Sequence, residues 1–185
     1  MDPIENLMAE HRVIERALKL IEELAYKVYS GETVDERALQ ELINFFREFA
    51  DKCHHGKEET SLFPRLESRG IPREGGPIGV MLAEHELGRS YVRALKESVE
   101  KYYSGKREAK EDIVENALAY ARLLREHIFK EDNILFNMAR AVLDSEDLKE
   151  LSEEFERIEV EKLGKGRHEE LISKIGKLEA ELRLL

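Results

Sequence analysis

Two short stretches of this chain pair a histidine with a glutamate four residues on: His54 with Glu58, and His127 with Glu131. On an α-helix that spacing stacks both side chains on one face, a turn apart. An imidazole nitrogen and a carboxylate oxygen so placed can serve one metal ion or two adjacent ones. Two further histidines, His11 and His85, close the similar tetrapeptides MAEH and LAEH. The stretch HHGKEETSLF from His54 also matches HIFKEDNILF from His127. His54 follows His11 by 43 residues, and His127 follows His85 by 42. The chain therefore contains its own alignment. Two helical hairpins carry equivalent histidines at equivalent heights, an arrangement suited to two equivalent metals.

Helical phase sharpens the set. At about 100° per residue, His11, His85, His127 and Glu131 fall inside the apolar arcs of their segments, and His54 falls at the edge of its own. His55 points about 180° from Phe46 and is expected on the outer face with Asn44 and Glu48. A buried, unpaired carboxylate costs several kcal/mol or takes up a proton. Two of them in a core layer with four histidines are best offset by metal. The expected ligands are His11, His54, Glu58, His85, His127 and Glu131. Each metal would receive two His nitrogens and two carboxylate oxygens. A bridging oxide or hydroxide would make five, leaving one open position in octahedral geometry. Such mixed ligation suits iron or manganese better than zinc.

The elements that must position these residues read as helices throughout. Apolar spacing follows the helical period from Pro3 to Tyr29, over about 35–68, from Pro77 onward and over about 108–143. Asp2 can cap the first helix, with Pro3 at its first position. Breaks fall at Gly31, at the loop GIPREGGP from Gly70 to Pro77, and at Ser104–Gly105. No segment alternates with period two. The expectation is an all-α fold, an up-down-up-down four-helix bundle. Residues 1–143 form the bundle. Residues 144–185 form a C-terminal helical hairpin, over about 146–162 and 167–184, that packs on the bundle or mediates association.

Composition excludes several classes. Forty acids against thirty bases give a net charge of −10, without the basic stripe that nucleic-acid binding needs. No run of about 18 apolar residues exists to span a membrane. The single cysteine, Cys53, cannot build a disulfide framework or a thiolate zinc site. The acidic N-terminal stretch does not resemble a signal peptide, and with the free thiol it leads to an expected cytoplasmic location.

The quoted motifs, over residues 7–143, resemble the hemerythrin-like proteins of the HHE cation-binding family. The resemblance implies a four-helix bundle with a non-haem di-iron centre, and its ligand positions match His11, His54, Glu58, His85, His127 and Glu131. Two departures stand out. Oxygen-carrying hemerythrins have a further histidine four residues after the one that matches His85, where this chain has Arg89. Their last carboxylate lies five residues after the final histidine, where this chain has Asp132, whereas Glu131 lies at four. The absent histidine leaves an extra open position, which leads away from simple oxygen carriage toward redox handling of oxygen, peroxide or nitric oxide.

The expected cofactor is thus two iron ions, oxo or hydroxo bridged, and the expected partner a small diatomic or peroxide ligand. An electron donor and a second copy of the chain are further partners this reading admits. A non-enzymatic iron or oxygen sensor, or an oxygen-storage protein, is the alternative. Ferritin-like oxidases use Glu-x-x-His pairs, the reverse order. Four other residues have a functional and a plain reading. Glu15 is a partner for a ring N–H or a solvated acid. His168 is a fifth nitrogen ligand or a helix-start packing residue. Tyr120 is a redox neighbour or core, and Cys53 an oxidation sensor or an inert thiol. Lys57 and Lys130 recur in both motifs, with no chemistry assigned to either.

Overall fold

The computed structural model describes residues 1–183 and contains, among them, six helices and no strand. Residues 184 and 185, the end of the expected tail, lie outside the described residues. Helix α1 is Pro3–Tyr29, α2 covers 36–68, α3 is Pro77–Tyr103, α4 covers 110–142, α5 is Ser145–Leu163 and α6 is Arg167–Arg183. Asp2 caps α1, accepting hydrogen bonds from the backbone N–H groups of Ile4 at 2.8 Å and Glu5 at 3.1 Å. This satisfies two of the donors that a helix start leaves without intrahelical partners. Gly31, just past α1, has φ +85°, a conformation that side-chain-bearing residues rarely adopt.

Two helices depart from α geometry where chemistry was expected. Helix α2 is π-helical over Phe46–His55 and again over Glu58–Leu62, and α4 over Glu131–Leu135. In π geometry the backbone bonds i to i+5. The turn is wider, and neighbouring residues advance by a smaller angle.

The apolar core is split in two. One cluster gathers Leu18, Ile21, Phe46, Val99, Ala117 and their neighbours. The other gathers Ile4, Leu7, Leu62, Phe63, Ile78 and Phe136. Between them lies the histidine layer. On α1, His11 falls between Leu7 of the second cluster and Ile14 of the first; on α3, His85 falls between Met81 and Val92. The last two helices straddle this layer. Helix α6 joins the first cluster through Leu171, Ile175 and Leu178, and α5 joins the second through Leu151 and Phe155. Helix α5 starts with a reciprocal cap. Asp144 accepts from the backbone of Glu146 and Asp147, and Asp147 accepts from the backbone of Asp144.

Candidate metal centre

All six expected ligands, His11, His54, Glu58, His85, His127 and Glu131, are buried and meet in one layer. Glu131 reaches His11 Nε2 at 3.0 Å and His127 Nε2 at 3.1 Å. Glu58 lies 3.4 Å from His54 Nε2 and 3.3 Å from His85 Nε2. The Nε2 atoms of His85 and His127 are 3.1 Å apart. Every one of these nitrogens faces the middle of the layer.

What fixes them is on the other side of each ring. His11 Nδ1 is 2.7 Å from Asp132, His54 Nδ1 2.7 Å from Glu10, His85 Nδ1 2.7 Å from Glu59 and His127 Nδ1 2.9 Å from Glu84. A carboxylate on Nδ1 holds the proton there, leaving Nε2 as the inward lone pair and raising its basicity. The four acids obey the internal repeat. Glu10 and Glu84 directly precede His11 and His85 and anchor the second histidine of the same hairpin, whereas Glu59 and Asp132 each follow a core glutamate and anchor the first histidine of the other hairpin. The recurring lysines complete it: Lys57 binds Glu10 and Lys130 binds Glu84. The signal for all six residues was present in the matching tetrapeptides and in the K-E-E and K-E-D triplets. Single-residue helical phase does not reveal it, because these groups sit at arc edges and reach across to neighbouring helices.

The expectation for His55 is corrected. It is buried, at 4% exposure, rather than on the outer face. The π-helical turns of Phe46–His55 advance neighbouring residues by a smaller angle than α geometry, and both consecutive histidines, His54 and His55, face the inside. Its ring stacks on His85 with centroids 3.7 Å apart, and its Nδ1 lies 3.3 Å from Asp51. Burial, helped by the neighbouring His127 and His54, pushes its pKa down to about 4. It is therefore a neutral imidazole at neutral pH, the form that ligates metal. Arg89, where oxygen carriers have a histidine, turns away to Asp51 and Glu59. His55 thus stands on α2 beside the position that Arg89 leaves unfilled on α3.

Two groups of donor atoms result within the layer. His11, His54, Glu58 and Glu131 offer ligand atoms within 4.8 Å of one another, and so do His55, Glu58, His85 and His127. Glu58 belongs to both, and Glu131 also lies 4.0 Å from His85 Nε2. Both oxygens of Glu58, both of Glu131, and the Nε2 atoms of His11 and His54 are buried without a hydrogen-bond partner. Close approach without hydrogen-bond geometry is what converging ligands have, and the donor set fits a pair of cations.

The electrostatics agree. Burial would lower the His54 pKa, but Glu58 and Glu10 hold it up at about 10. His127 is likewise held at about 10, against burial, by Glu131 and Glu84. Burial and the charge of Glu131 raise Glu58, whereas His127 and His11 outweigh burial at Glu131 and keep it ionised. Burial, with His55 and His127 beside it, depresses His85. Positive charge is wanted in this layer, and cations can supply it in place of protons.

The other residues settle on their plain readings, with one exception. Glu15 is half-exposed and pairs with Arg12. Tyr120 is core, edge-on to Phe46 at 4.9 Å, with its hydroxyl pKa pushed up by burial. Cys53 is buried and its thiol is pushed up to about 12 by burial, so it is inert. His168 is the exception. It is not among the converging ligands, yet its Nε2 lies 3.1 Å from Glu10, the acid that anchors His54.

The Hemerythrin HHE cation binding domain family model matches residues 2–139. Uncharacterized proteins of Mycobacterium bovis and of two Mycobacterium tuberculosis strains are 25% identical over 178 residues, covering 96% of this chain and 69% of theirs. The chain belongs to the hemerythrin HHE cation binding domain family.

Proposed function

We propose that this member of the hemerythrin HHE family is a non-haem di-iron protein that binds or reduces oxygen, peroxide or nitric oxide. The observation that carries the reading is the set of orphaned atoms of Glu58, Glu131, His11 and His54, enclosed by histidines whose outer nitrogens are all anchored. In this reading the first four helices form the up-down-up-down bundle. Residues 1–143 hold the site and 144–185 pack over it. His11, His54, Glu58 and Glu131 would hold one iron. His85, His127, His55, Glu58 and Glu131 would hold the other, with His55 a seventh ligand beyond the six expected from the sequence.

Iron bound there would supply a one-electron redox couple and Lewis acidity. The chain does the rest. Glu10, Glu59, Glu84 and Asp132 fix ring orientation. The two apolar clusters above and below give the layer low-dielectric surroundings, which strengthens the interactions inside it.

Consumption of peroxide, oxygen or nitric oxide by the reduced, iron-loaded protein tests the reductase reading. Reversible binding without consumption would assign carriage or storage instead. A sensor is the second reading, favoured by the His168–Glu10–His54 chain, which ties α6 to the layer. Its mark is a metal-dependent change in protease sensitivity after residue 144.

A further inference from the structure

A cleft opens between α2 and α3 and ends on the metal layer. Its volume is about 440 Å³, and His55 and His85 form its inner end. A water's share of liquid is about 30 Å³, so a diatomic ligand needs only a small part of this space. The volume falls instead in the range of about 300–1,000 Å³ typical of organic ligand sites.

The walls are chemically divided. Phe46, Val92 and Tyr120 line the inner part, with Gly88 on α3. A Cβ at Gly88 would already lie 3.5 Å from the Tyr120 ring, so the absent side chain leaves this wall as bare backbone. The outer part carries Arg47, Lys52, Arg89, Arg93 and Lys96 against Asp51 and Glu97. Arg89 is committed to Asp51, Glu59 and Glu86, and Lys96 to Glu100. Arg47, Lys52 and Arg93 make no ion pair with any described residue and are exposed. In a chain of net charge −10, three uncommitted cations around one apolar cleft mark a local reversal of sign. Such a mouth concentrates anions.

We propose that this cleft binds an organic anion with a flat apolar body. The body lies on Phe46, Val92 and Tyr120, and the charged group sits at Arg47, Lys52 and Arg93. The bound molecule would end against His55 and His85, placing a co-substrate or electron donor at the edge of the metal layer. That last consequence rests on the metal-centre reading, whereas the binding itself does not.

The test is calorimetric titration of the full chain with 2-naphthoate, 2-naphthalenemethanol and 2-naphthylmethylamine at low salt, after chelator treatment and after iron loading. The carboxylate should bind one per chain, about tenfold or more tighter than the alcohol, and weaken as salt screens the rim. Reversal of two exposed cations, Arg47→Glu with Arg93→Glu, should cost the carboxylate about tenfold and leave the alcohol unchanged. Gly88→Leu should abolish binding of both by filling the inner part. Equal affinity for the three compounds, or undiminished carboxylate binding by both variants with helicity intact, overturns the proposal. The chelator-treated arm reads the cleft alone, so failure of the metal reading leaves its result standing. Conversely, a cleft that binds nothing leaves the iron content unaffected.

Discussion

Lys57 and Lys130 occupy the same position in the internal repeat and make the same bond, yet they should differ sharply when removed. Lys57 is fully buried. It pairs with Glu10, itself 3% exposed, lies 3.1 Å from Glu159 and 3.3 Å from Asn6, and sits 5.8 Å from the Phe155 ring centre. Helix α5 supplies the covering residues. Lys130 pairs with Glu84 but is 34% exposed, and makes no second ion pair among the described residues. Removing one partner of a buried ion pair costs about 3–5 kcal/mol, mostly because the other charge is stranded. His168 still contacts Glu10 in a Lys57→Met variant, so the lower end applies, about 3 kcal/mol. At about 2–4 °C per kcal/mol for a chain of this size, the melting temperature should fall by about 6–12 °C. Lys130→Met should cost about 1 kcal/mol or less, as partly exposed pairs do. Urea unfolding of both variants at matched metal content measures the contrast. Glu10→Gln added to Lys57→Met should recover part of the loss, because the stranded charge is gone. Equal losses at the two lysines would refute the claim that α5 buries one copy of the repeat and not the other.

Three further outcomes are expected. Glu10→Gln and Glu84→Gln remove no inward donor, yet should weaken metal affinity by about 10–100-fold in competition with a chelator. His55→Ala should lower retention of one metal more than the other, read by metal analysis during stepwise chelation; unchanged retention would return His55 to a packing role. The chelator-treated protein should lose stability as pH rises from about 6.5 to about 10. His54 and His127 are held at about 10 in the fold against an ordinary 6.5, so their contribution is complete below 6.5 and gone above 10. Iron should suppress that dependence, since its binding displaces those protons, and denaturation series with and without iron make the comparison.

Much of the architecture was legible because it rests on periodicity. The bounds of α1, the loop from Gly70 to Pro77 and the six buried donors follow from apolar spacing plus the duplicated motifs. The π-helical turns were not legible. They coincide with the histidine layer, and no residue pattern announces them. His55 was consequently assigned to solvent. The acids on Nδ1 were half legible: the repeat displays Glu10, Glu59, Glu84 and Asp132, but their partners lie on other helices, and only the packed structure pairs them. His168 lies further from reach, since nothing in the tail's spacing indicates that it meets Glu10.

The central claim is that the layer holds two metals, and anaerobic iron loading followed by gel filtration and elemental analysis tests it most directly. The account predicts about two irons per chain, because two donor groups share Glu58, and a sharply lower ratio in Glu58→Gln and Glu131→Gln variants that keep their helicity. A wild-type chain that emerges folded and iron-free, or variants that retain iron as the wild type does, would contradict it.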